Sequence, residues 1–366
     1  MKPLAQAPPA EPVATGRSVK PLRVLKIAWP LAALAVFMVL PFGALNGFSF
    51  DLFYFTFMYA AMSVGWNILG GYAGYISLAH LGFFGFGSYA AGLALFHFGW
   101  SIFITAPLVG LLCSVLAAGL GWTALRTRGS AFVIVTLAFT SIVQFLALNL
   151  KGLTGGSAGL YLPLVNLPSS VLPVPFYYYM LGLLVLAVLV SLGIRRSRFG
   201  LALIAIREDE GKAEGSGINT SLFKIIAFMI SIWFAGVAGA IHAQYLDYVD
   251  PDLAFELIIM LNMIVMTLLG SRGTTWGPVL GAFILFPLSE YLVFWLPTGI
   301  AGQFHLALLG VVLVVVARYL PGGLLITIRD FILRRRGPGE PSQGLPALAL
   351  AGGGGPAGPA AGEAGR

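Results

Sequence analysis

The chain has 366 residues, with 21 Lys and Arg against 14 Asp and Glu for a net charge of +7, and it is 58% hydrophobic and 10% charged. That balance excludes a water-soluble domain, because no such fold of this length could avoid large exposed apolar patches. It also excludes a transmembrane barrel, whose strands alternate apolar and polar residues, since the long runs here are apolar throughout.

The first segment, residues 1–26, is expected to be a tail, rich in Pro and Ala at its start and unable to bury enough surface to order itself. The stretch "RSVKPLRVLKIAWPLAALAVFMVLPFGALNGF" then joins a basic flank to an apolar run longer than a signal-peptide core, without a small-residue cleavage site. It is expected to be a retained first span. Between Asp51 and Arg126 lie 74 residues without Asp, Glu, Lys or Arg, and further gaps cover 152–194 and 273–289. About 20 residues of helix cross the hydrocarbon layer. The expected spans are 27–45, 52–70, 76–98, 101–124, 130–150, 176–194, 225–246, 257–270, 277–296 and 304–320.

The fold class is therefore an all-α polytopic membrane helix bundle of about ten transmembrane helices. Its domain covers 27–335, with the longest loop at 195–224 and a second tail, ending "AGGGGPAGPAAGEAGR", over 336–366. Ten crossings put 20 of the 21 Lys and Arg on one side, with Lys151 the exception. By the positive-inside rule that side is cytoplasmic and holds both termini. The opposite loop "DYVDPDLAFE" carries four acids and no base. The positive charge thus points to anionic lipid heads and not to nucleic acid.

Few side chains offer chemistry. Cys113 has no partner for a disulfide, and the four His at 80, 97, 242 and 305 are too scattered for a metal cluster. There is no GxxxxGK[ST] loop: the one Gly-Lys pair, Gly211-Lys212, is followed by Ala213, so this chain is not expected to hydrolyse ATP itself. Ser77 and His80 lie three apart with nothing else to support catalysis, and no catalytic or metal-binding residue is expected.

Glycines crowd "ILGGYAGYISLAHLGFFGFGSYAAG", and a second Gly-rich break is "LLGSRGTTWGPVLGA". Two readings stay open: irregular helices around a solute pathway, with Gly74, Ser77, His80 and Ser88 as lining, or close helix packing through small residues. Glu290 is the one acid placed inside a span, near its outer end, with a structural or vestibule role.

Nine of the 35 charged residues fall between Arg195 and Glu214. Phe199, Leu201, Leu203 and Ile206 interleave with Arg207, Glu208, Glu210, Lys212 and Glu214 as in a short helix, with Glu208 and Lys212 as an i,i+4 pair and Gly215 and Gly217 as the stop. Charge alone allows a solvated loop or a docking element.

The segments "RRSRFGLALIAIREDEGKAEGSGINTSLFKIIAFMISIWFAGVAGAIHAQYLDYVDPD", "GGYAGYISLAHLGFFGFGSYAAG" and "GTTWGPVLGAFILFPLSEYL" together resemble the LivM-type permease subunit of branched-chain amino acid ABC importers, over about residues 30 to 335. The resemblance implies that Arg207, Glu208, Asp209, Glu210, Lys212, Glu214 and Gly217 form a coupling segment against a cytoplasmic ATPase. It further implies two ATP-binding cassette subunits, a homologous second permease, a periplasmic or extracellular solute-binding protein and a place in the inner membrane. No cofactor is expected on this chain itself, ATP being used by the partner subunit. The implied solute is leucine, isoleucine or valine; urea or a short amide is the alternative, and an ion-coupled secondary transporter the alternative of another class. The chain departs from the family pattern at Tyr75, at Ser271-Arg272-Gly273-Thr274, at Ala158, and at Gly211, Lys212 and Gly215 in the loop. Each interior glycine there should weaken the helix by about 1 kcal/mol.

Overall fold

The computed structural model describes residues 20–43, 46–163, 168, 172–294 and positions within 307–327, with side chains from Trp29 onward. The helices are α1 (Lys20–Val39), α2 (Gly47–Asn67), α3 (Ala79–Phe98), α4 (Ile102–Ala124), α5 (Ser130–Asn149), α6 (Lys151–Thr154), α7 (Pro173–Arg196), α8 (Arg198–Glu208), α9 (Glu210–Gly215), α10 (Thr220–Leu246), α11 (Pro251–Ala254), α12 (Leu257–Gly270) and α13 (Trp276–Phe294). Two short strands, β1 (Leu160–Tyr161) and β2 (Tyr248–Val249), pair antiparallel with Leu160 opposite Val249.

Among the described residues seven helical segments are long and apolar enough to cross a membrane, and two shorter apolar helices, Trp29–Phe42 and Trp276–Leu292, match the expected first and ninth spans. The expected tenth, 304–320, lies mostly outside the described residues, as do the tail positions 1–19 and 328–366. The chain is a multi-pass helical membrane protein. Its exposed faces agree: Leu111, Val115, Ile134 and Ile142 are all more than half exposed, which only lipid or another apolar surface would favour.

α2 is apolar on every side and so runs through the centre of the bundle: 89% of its most apolar stretch is buried, against 22% for the peripheral α5. Asn46 starts it by accepting hydrogen bonds from the Ser49 amide (2.9 Å) and hydroxyl (2.8 Å). A π-helical turn, Ile68–Ala73, ends it, and Gly74 leaves with φ +82°. Trp66, Tyr54, Tyr72, Tyr177 and Phe57 are the largest fully buried side chains around this axis.

The loops sort to two ends. At one, β1 and β2 meet the start of the α10–α11 link through the Leu162 amide to Asp247 O (3.0 Å), Gln244 Nε2 reaches Pro163 O (3.1 Å), and the Tyr245 hydroxyl donates to Asp51. This end carries Asp51, Asp247, Asp250, Asp252 and Glu256, with Lys151 as its base among the described residues. At the other end lie Arg126, Arg128, Arg195, Arg196, Arg198 and Arg272. The charge asymmetry expected from sequence is thus a property of the fold.

α3, α4 and α10 approach through glycine. A Cβ on Gly239 would stand 2.0 Å from Phe84 O, one on Gly87 2.4 Å from Gly236 O, and one on Gly236 2.7 Å from Cys113 Sγ. Cys113 is fully buried in this seam as a packing atom. Without a strong hydrophobic drive between helices in lipid, such close backbone contact is what holds spans together. Gly239→Ala should therefore lower stability by about 1–3 kcal/mol, whereas Gly119→Ala, with open space around it, should be neutral or slightly favourable. Thermal melts of both variants in detergent would show this, and equal melting points would refute the close-packing account.

Candidate functional site at the basic end

The two glycine-rich breaks lie side by side at the basic end, each filling the other. Asn67, fully buried in the last turn of α2, donates from Nδ2 to Thr274 O (2.9 Å) and accepts at Oδ1 from the Gly273 amide (2.7 Å). Gly71 is where this requires glycine, since its Cβ would fall 1.9 Å from Asn67 Oδ1 and 2.7 Å from Gly273 N. Between Gly74 and α3 the backbone is met by side chains: Trp66 Nε1 donates to Ser77 O (3.0 Å), the Leu78 amide to Thr136 Oγ1 (3.1 Å), and Thr140 Oγ1 to Leu78 O (3.1 Å). The freed backbone of the first break is satisfied from inside the protein, as burial demands.

The loop between α7 and α10 seats on these breaks. Ser197 alone separates α7 from α8, and its hydroxyl accepts from the Gly200 amide (3.2 Å). Leu203 and Ile206 bury α8 against the bundle. The single helix expected through Glu214 is in fact two. Asp209 is extended (φ −161°, ψ 106°) and caps α9 by accepting from the Lys212 amide (3.1 Å). That amide is the main cause holding the Asp209 carboxyl below its ordinary pKa. The expected Glu208–Lys212 pair does not form, because the break turns the two apart: Lys212 meets Asp209 (3.1 Å) and Glu208 meets Arg207 (2.7 Å). Arg207 also reaches back to Gly71 O (3.1 Å). Its Cγ lies 2.8 Å from where a Gly74 Cβ would stand.

The seven loop residues singled out from sequence divide by direction. Glu208, Asp209 and Lys212 are exposed, with side chains 69%, 44% and 85% accessible. Glu214 accepts from Thr220 Oγ1 (2.6 Å), and Gly217 closes the loop at φ +84°. Glu210 points inward and its side chain is 8% exposed. One carboxylate oxygen meets Lys224 Nζ (2.5 Å); the other meets the Tyr75 hydroxyl (2.6 Å) and Arg128 Nε (3.0 Å). Lys224, itself 3% exposed, also donates to Leu125 O (3.1 Å) and lies over the Tyr75 ring. Burial works against the charge on Glu210, but the hydrogen bonds from Lys224 and Tyr75 outweigh it and hold its pKa below the ordinary value. Burial, and then the bond to Glu210, push the Tyr75 hydroxyl well above its ordinary value, so it stays a donor.

Of the residues named as pathway lining, Ser77, His80 and Ser88 are buried and Gly74 is exposed. Ser77 is fully buried and its hydroxyl accepts from the Ala79 amide (3.3 Å). His80 Nε2 meets Ser231 Oγ (2.5 Å), and Ser88 donates to Phe84 O (3.0 Å) and Gly239 O (2.9 Å), so both lie in the seam between α3 and α10. Glu290 is half-buried near the end of α13. Tyr75, Lys224, Asn67 and Arg128 join the site only in the fold. Two signals of this stand in the sequence: Lys224 interrupts the apolar run "SLFKIIAFM", and Asn67 is a lone amide in another such run. Among the described residues no group of His, Cys, Asp and Glu could hold a metal.

Residues 48–317 match the family described as "Branched-chain amino acid transport system / permease component". The chain is 28% identical to the high-affinity branched-chain amino acid transport system permease protein LivM of Salmonella typhimurium, and equally to LivM of Escherichia coli, in each case over 88% of this chain and 77% of the relative. It is 27% identical to the permease protein LivH of the same type of system in E. coli, over 62% of this chain and 79% of LivH. No solved structure matches the chain.

Lys224→Met would leave the buried Glu210 carboxylate with the exposed Arg128 as its remaining cation and should cost about 3 kcal/mol at neutral pH. Because the folded pKa of Glu210 is depressed, the contribution is complete above the unfolded value of about 4.3 and is lost as pH falls through the lower folded value. Melting temperatures of wild type and variant should converge on acidification through that range. A gap that stays constant would mean that the carboxylate charge is not what Lys224 serves.

Proposed function

The chain belongs to the family of branched-chain amino acid transport system permease components, and on that premise we propose that it is the membrane-spanning subunit of an ATP-binding cassette importer. Its solute is a branched-chain amino acid, carried across the inner membrane. The basic end is cytoplasmic, in line with the positive-inside rule. Two ATP-binding cassette subunits dock there, and ATP is consumed by them and not by this chain. A homologous second permease, of the kind that LivH is to LivM, and an external solute-binding protein complete the assembly.

The observation that carries the coupling assignment is the position of Glu208, Asp209 and Lys212, exposed on a loop whose other face is anchored in the bundle. A solvated loop would not need the buried seat of Leu203, Ile206 and Glu210. Exposed charges on such a seat offer a second protein both ion pairs and a firm footing. Since α2 fills the centre and His80 and Ser88 are packed in the α3–α10 seam, the solute path runs along the face shared with the second permease. Glu290 belongs to its outer vestibule.

Glu208→Lys and Lys212→Glu, both at exposed positions, should each lower ATP-driven uptake about tenfold or more while the protein stays in the membrane, because a reversed charge at an interface both slows and weakens association. Reconstituted vesicles with the ATPase subunits give the readout. Full uptake by both variants, or uptake driven by an ion gradient without those subunits, would overturn the proposal.

A further inference from the structure

α9 buries two residues, Glu210 and Ala213. A helix of six residues, two of them glycine, does not hold itself together in water, because so few hydrogen bonds do not offset the cost of nucleation. Its position is therefore set by its Asp209 cap and by whatever grips those two side chains. Ala213 supplies one methyl group. Glu210 supplies a carboxylate held from three directions: Lys224 stands in the second turn of α10, Tyr75 in the link before α3, and Arg128 in the link before α5. Lys224 extends the contact to Leu125 O at the end of α4. α8 is fixed differently, by Leu203 and Ile206, and the extended Asp209 separates the two helices.

We propose that Glu210 is the positioning residue of the loop, tying α9 to the ends of α3, α4, α5 and α10 so that a push on the loop's exposed charges reaches these spans together. This rests on the ATPase-docking reading and adds which residue carries the motion inward. Glu210 itself does not touch the partner. Of the charges in α9 it is the buried one.

The first test needs no partner. With the full chain in lipid nanodiscs, Glu210→Gln should speed amide hydrogen exchange over 209–217 about tenfold or more and leave 198–208 unchanged. The Glu210→Gln/Lys224→Met pair removes both charges, and so any defect due merely to an unpaired buried ion; it should show the same local loosening. Unchanged exchange in Glu210→Gln, or protection regained in the double variant, would overturn the proposal. In the assembled transporter, both variants should keep the ATPase subunits bound and hydrolysing ATP while uptake per ATP falls about tenfold. Hydrolysis and uptake falling together would also overturn it. Failure of the ATPase subunits to bind even the wild-type chain would instead overturn the docking reading, while the exchange rates, measured without those subunits, still decide whether Glu210 holds α9 in place.

Discussion

Lipid offers a backbone no hydrogen bonds, so a chain that spans it can leave the helix only where its own groups meet the freed amides and carbonyls. That constraint organises this structure. The Gly74–Leu78 break is closed by Trp66, Thr136 and Thr140, and the Ser271–Thr275 break is met by Asn67. These partners stand on α2 and α5. The breaks could not exist in an isolated helix, and the bundle around them is held in register because they exist.

Once the breaks are fixed, the loop between α7 and α10 has a defined place to sit. Arg207 donates to the carbonyl that the π-turn exposes at Gly71, and Tyr75, in the turn after Gly74, presents its hydroxyl to Glu210. Tyr75 thus holds the centre of the loop's anchor. Its hydroxyl reaches Glu210 and its ring lies under Lys224. Between such a buried pair and the exposed charges of Glu208 and Lys212 there is a division of labour that composition cannot reveal. The exposed pairs, screened by water, contribute little to stability and are free for a partner. The buried one costs too much desolvation to be left incomplete.

The periphery follows the opposite rule. α5 and the outer face of α4 carry Ile134, Ile142, Leu111 and Val115 into the surroundings. Tyr178 and Tyr179 reach the backbone of neighbouring spans at Met38 and Phe103 (2.8 and 3.2 Å), as amphipathic aromatics do where helices enter the headgroup region.

The sequence by itself determined the class of the fold, the approximate place of the described spans and the separation of charge between the two ends, because long uncharged runs have one stable answer in lipid and their flanks cannot cross it. It also located the charged loop and the glycine-rich breaks. It read that loop as one helix, since periodicity does not register a single extended residue; Asp209 became a cap only when its neighbours turned α9 toward the bundle. Ser77, His80 and Ser88 stayed open between lining and packing, because a polar residue in an apolar run has no visible partner until helices far apart in the chain are brought together. What only the tertiary structure decided is direction: which of nearly identical carboxylates, Glu208 or Glu210, faces water and which faces a lysine fourteen residues away. The choice depends on where Tyr75, Leu125 and Arg128 stand, and no pattern local to the loop contains them.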